Sequence, residues 1–72
     1  MPTLSERLIE LKESKNLLQK DIAKSINLSL RSYQRYEYGE REPTSSILIK
    51  IADYFNVSLD YLVGRSDDPT RH

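Results

Sequence analysis

Leu30, Arg31, Gln34 and Arg35 are the side chains best suited to chemistry in this 72-residue chain. Residues three and four apart are neighbours on a helix surface, so positions 30, 31, 34 and 35 share one face. That face offers two guanidinium forks and one primary amide. A helix edge carrying arginine and amide groups suits the major groove of duplex DNA, where each base pair shows its own pattern of donors and acceptors. The Arg31 fork fits guanine O6 and N7. Tyr33 and Tyr36 fall on the opposite, inner side of the same helix.

These side chains need a second helix to hold them, and the preceding residues supply it. Ile22, Ala23 and Ile26 make an apolar stripe. Asn27 tolerates a left-handed backbone and ends that helix, Leu28 packs inward at the turn, and Ser29 caps the next helix by accepting from its free N–H groups. Two short helices joined by three or four residues form a helix-turn-helix. Around it, Leu4, Leu8 and Leu11 mark an amphipathic first helix whose end, Ser14-Lys15-Asn16, reads as frayed. Leu48, Ile51, Ala52 and Phe55 mark a fourth helix behind Pro43, Thr44 and Ser45. Ser58 to Val63 is a short fifth, ending at Gly64.

The pattern therefore predicts an all-α fold with helices near 3–14, 19–26, 30–38, 45–55 and 58–63. The expected core is Leu8, Leu11, Ile22, Ile26, Leu28, Tyr33, Leu48, Ile51, Ala52, Phe55, Val57 and Leu62. Residues 22–29 and 51–58 echo one another as helix, asparagine stop, apolar residue and serine cap. Only the first of these corners is followed by outward arginines. The domain is expected to span residues 1–64, with 65–72 as a flexible tail or the start of a linker, since that segment has no apolar anchor.

Composition narrows the classes. There is no cysteine, so disulfides and thiolate metal or redox sites are excluded and a reducing compartment is the natural reading. No apolar run approaches the ~20 residues of a membrane span, which makes a soluble, cytoplasmic protein the expectation. Net charge is zero, but its distribution is uneven. From Lys12 to Arg35 six basic residues face only Glu13 and Asp21, a local +4 balanced by −4 elsewhere. A basic face on a neutral body favours phosphate contact at that face. Glu10 with Glu13, and Asp67 with Asp68, lack a pocket to tune them as acid/base pairs, and His72 reads as an inert terminal residue. No catalytic motif, metal-ligand spacing or phosphate-binding glycine loop is present, so neither an enzyme nor a cofactor is expected.

From Leu4 to Gly64 the chain resembles the Cro/CI-type phage-repressor helix-turn-helix family, also called XRE-type. The resemblance rests on Gln19, Ile22-Ala23, Ser29, Arg35-Tyr36-Glu37 with Gly39, Pro43, and Ile51-Ala52 followed by Val57 to Gly64. It implies a compact five-helix, lambda-repressor-like domain that binds double-stranded operator DNA as a homodimer and regulates transcription, most often as a repressor. Carried over by residue, it implies that Gln19 touches a phosphate and braces the reading helix. Leu30, Arg31, Gln34 and Arg35 take base-facing positions, and Lys12 and Glu37 bridge the first and third helices. Leu18 departs from the family's usual threonine or serine cap. Leu30 stands where a polar residue is common, which shifts readout towards a thymine methyl.

Lys15, Lys20 and Arg41 are the remaining candidates for phosphate contact. Leu59, Tyr61 and Val63 leave apolar area on the fifth helix that could join two copies. The competing reading is a protein-interaction module of the same fold, an antitoxin or antirepressor type. The leading one also leaves room for a protein antagonist as partner.

Overall fold

Helix ends decide the layout of this chain, because each end leaves backbone groups that must find partners. The computed structural model describes residues 3–71, and His72 lies outside them. The elements are α1 (Leu4–Ser14), α2 (Gln19–Ser25), α3 (Leu30–Glu37), α4 (Ser45–Phe55) and α5 (Leu59–Leu62), with no strand among the described residues. The sequence-derived spans differ from these by at most one residue at an end, mainly because they include the caps. Thr3, Ser29, Thr44 and Ser58 each accept from a backbone N–H of the first turn. Thr3 and Glu6 form a reciprocal capping box. Leu18 offers α2 no side-chain cap, the departure noted in the sequence.

All five helices stop in the same way. After the last turn one residue turns left-handed, and the next N–H reaches back five residues to a carbonyl of the last turn. Leu17 N donates to Lys12 O at 2.9 Å, Leu28 N to Ala23 O at 2.8 Å, Glu40 N to Arg35 O at 2.9 Å, Val57 N to Ala52 O at 3.0 Å, and Arg65 N to Asp60 O at 2.8 Å. The left-handed residues are Asn16, Asn27, Gly39, Asn56 and Gly64. Residues 14–16, expected to fray, thus form a closed end like the others. Leu17, Leu28 and Val57 follow the asparagines and fold back onto the core.

That core surrounds Tyr33, Leu8, Ile22, Ile51 and Leu62, all fully buried. Leu28 and Leu48, expected inside, are half-buried and pack against its edge, while Ala23 and Tyr36 are enclosed. So small a domain has few wholly enclosed positions, and a leucine at a helix corner stays partly in water.

Arg7 is the unexpected interior residue, 5% exposed. Its Nε donates to Tyr61 O and its Nη2 to Ser66 O, both at 3.0 Å, and its guanidinium lies 3.9 Å from the Tyr61 ring centroid. Nη2 also meets the Asp67 carboxylate at 3.0 Å. Beyond it, Ser58 N donates to Pro69 O at 3.0 Å and Arg71 pairs with Asp53. The expectation of an unanchored segment after residue 64 is corrected here, because the anchor is polar: an arginine on α1 gathers carbonyls from α5 and the chain beyond it.

Ile51 has no exposed surface. Ile51→Ala should cost about 2–5 kcal/mol, a large share of the stability of so small a domain. A urea midpoint equal to wild type would remove Ile51 from the centre of the core.

Candidate nucleic-acid interface

Helix α3 has two unlike faces. Tyr33, Tyr36 and Glu37 are buried; Leu30 and Arg31 are exposed, and Gln34 and Arg35 are half-buried. Leu30 keeps 43% of its surface in water, high for a leucine beside a core. The four residues expected to face bases therefore lie together on the open side. Lys15, Lys20 and Arg41 are exposed as well, on α1's end, α2 and the loop after α3.

Buried polar groups hold this helix. Glu37, 2% exposed, accepts from Lys12 Nζ on α1 at 2.5 Å and from Gln19 Nε2 on α2 at 3.2 Å, so one carboxylate ties three helices together. Ser5 of α1 donates to the Glu37 main-chain oxygen, one of the carbonyls α3 leaves open at its end. Gln19 in turn accepts from Gln34 Nε2 at 3.0 Å, and its own Nε2 lies 3.5 Å from the Tyr38 hydroxyl. The half-buried Gln19 side chain thus braces α3 through both ends of its amide. The Gln19–Gln34 and Ser5 contacts have no local sequence signal; each partner is an ordinary surface-type residue until the helices cross.

Tyr33 Oη and Glu37 Oε2 lack partners in full hydrogen-bond geometry, although the two groups lie close enough to interact. Burial, then the Glu37 charge, raises the Tyr33 phenol above its ordinary value. Tyr33 consequently stays neutral within the core.

Of the residues expected at a dimer surface, Leu59 and Val63 are exposed, at 45% and 36%. Tyr61 is half-buried beneath Arg7 and serves the body of the domain instead. Among the described residues, no His, Cys, Asp and Glu side chains cluster as a metal site would require, and no helix is long and apolar enough to cross a membrane.

Comparison with known proteins places this geometry. A family model described as helix-turn-helix matches residues 8–62. A transcriptional repressor of the cryptic phage CTXphi, RstR of Vibrio cholerae, is 44% identical over 62 residues, covering 86% of this chain and 55% of that protein. The regulator ImmR of Bacillus subtilis is 32% identical over 65 residues, covering 90% of this chain and 51% of its own length. The chain spans about half the length of these curated relatives. A crystal structure of a transcriptional regulator from Listeria innocua superposes with a TM-score of 0.81 at 37% identity, covering 86% of this chain and 58% of that one. The P22 c2 repressor, crystallised with a synthetic operator, shares the fold at a TM-score of 0.84 and 21% identity, over 92% of this chain and all of that one.

The Lys12–Glu37 pair is asymmetric, with side-chain exposures of 20% and 3%. A lysine stem can swing towards water, whereas the enclosed carboxylate cannot. Lys12→Met should therefore lose about 3–5 kcal/mol, as for a buried charge left without its partner, and Glu37→Gln clearly less. Chemical denaturation of both variants checks this, and the reverse order would contradict it.

Proposed function

This chain belongs to the helix-turn-helix family, and from that premise we propose that it is a sequence-specific, double-stranded-DNA-binding transcriptional regulator, acting as a repressor. The observation that carries the reading is the two-faced α3. Its inner residues are locked by Tyr33 and Glu37, while Leu30, Arg31, Gln34 and Arg35 project together on the open side. The stretch that includes it is locally basic in a chain of zero net charge. The family match and the regulator names of the relatives support the same assignment. The proposed regulator works in the cytoplasm, a reducing compartment that suits a chain without cysteine.

In this reading α3 enters the major groove. Arg31, in the first turn, meets guanine O6 and N7; Leu30 contacts a thymine methyl; Gln34 and Arg35 meet the next bases. Lys15, Lys20 and Arg41 hold phosphates on either side. The Gln19 amide braces α3 from behind. Arg31→Ala should weaken binding to the operator by about 1–3 kcal/mol and to scrambled duplex far less. Loss of Lys15 or Lys20 should weaken both equally and flatten the log–log salt slope by about 0.9 per contact. Titrations of each variant on both duplexes across a salt series measure this. Equal losses for Arg31→Ala on the two would make Arg31 an anchor only.

One reading helix covers a single stretch of groove, so tight operator binding calls for two copies about 34 Å apart along a palindrome. The surface proposed to join them is the exposed apolar area at Leu59 and Val63. Sedimentation on operator DNA should show two protomers per site, and Leu59→Asp should reduce that to one. A wild-type monomer both free and on DNA would end the dimer proposal.

A further inference from the structure

α5 is a single turn, Leu59–Leu62, far short of the ~12–15 residues an isolated helix needs in water. Leu62 pins it to the core, but one buried side chain does not fix how so short a helix tilts. Its backbone is held from outside. The chain turns at Gly64, and at that end Arg65 N and Ser66 N both donate to Asp60 O, at 2.8 and 3.2 Å. It then returns along α5 to the other end, where Ser58 N donates to Pro69 O at 3.0 Å and Arg71 pairs with Asp53 of α4. Asp68 N to Ser66 Oγ and Thr70 N to Asp68 Oδ1, both at 3.0 Å, shape the return. Arg7 of α1 clasps both layers, with Nε on Tyr61 O of α5 and Nη2 on Ser66 O of the returning segment.

Leu59 and Val63 stand at the two ends of this clamped turn, as its first residue and its C-cap. We infer that residues 65–71 are a strap, clasped by Arg7, that holds α5 in the orientation needed to pair two copies, so that Arg7 governs pairing from a buried position. The strap is firm at one end and loose at the other. A lysine cannot reproduce the buried fork of Arg7, which meets two main-chain oxygens on different segments. The Arg71–Asp53 pair is exposed, and such pairs contribute little. The inference rests on the reading that Leu59 and Val63 join two copies, and it adds what holds that surface in place. Arg7 is a positioning residue here, not a contact to DNA.

The test compares wild type, Arg7→Lys, the strap-side variant Asp67→Ala/Pro69→Gly/Arg71→Ala, Leu59→Asp, and Arg7→Lys/Leu59→Asp. Each is titrated on duplexes carrying one half-site or the full palindrome, recovered by selection from random DNA. Trypsin cleavage after Arg65 is followed in the proteins without DNA. Arg7→Lys should speed that cleavage, and weaken binding to the palindrome, by about tenfold each, as expected for lost charge-assisted hydrogen bonds. The strap-side variant, which leaves the core untouched and decides the matter even if Arg7→Lys does not fold, should weaken palindrome binding about three- to tenfold. Half-site binding should stay at the wild-type level in both. Adding Arg7→Lys to Leu59→Asp should cost nothing further, because both act on one surface. Half-site and palindrome affinities that fall together would overturn the inference, since Arg7 would then act only through the folded fraction. So would equal cleavage of wild type and a folded Arg7→Lys, a strap-side variant that pairs like wild type, or additive losses in the double variant. A wild type that stays monomeric on the palindrome would overturn the dimer reading and this inference together, whereas the other outcomes leave that reading standing.

Discussion

The position of α3 depends on one buried carboxylate. Glu37 lies at the end of α3, almost wholly out of water, and its partners come from both neighbouring helices. A buried ion pair of this kind is weak evidence for net stability, since desolvation offsets much of the attraction. Its effect is geometric. A charge that must find Lys12 and Gln19 permits only a narrow range of crossings between α1, α2 and α3, and the outer face of α3 is aimed accordingly. Tyr33, neutral and central, fills the space beneath.

The rest of the domain repeats one solution to a general problem. A chain this short encloses few apolar residues, so it tolerates few unsatisfied backbone groups. Each helix end is closed by a left-handed residue and a back-reaching N–H. At three of the five ends the left-handed residue is asparagine, and the apolar residue after it returns to the core. Tight corners of this type let five short helices turn sharply around Tyr33. Arg7 extends the same economy of groups to the chain beyond α5: its guanidinium satisfies main-chain oxygens and covers Tyr61 at once.

Charge and packing divide the surface between them. Along the sequence, basic residues outnumber acidic ones between Lys12 and Arg35 and acidic residues dominate elsewhere, so a formally neutral chain has one locally basic stretch. Long-range attraction of a polyanion needs that local field and not a net charge.

Helix spans, the turn at Asn27 and Ser29, and most of the core were legible in the amino-acid sequence, because they depend on apolar period and capping within a few residues along the chain. The side of α3 that stays open followed from the same period, and the Lys12–Glu37 partnership from family resemblance. Tertiary structure alone decided the contacts between groups far apart in sequence. Gln19 meets Gln34, Ser5 caps the end of α3, and Arg7 reaches Tyr61, Ser66 and Asp67. It also turned Tyr61 inward and closed the end of α1. Local rules specify which face of a helix is apolar. They do not specify the crossing angles that bring one polar side chain within 3 Å of another, and on those angles the orientation of Gln34 depends.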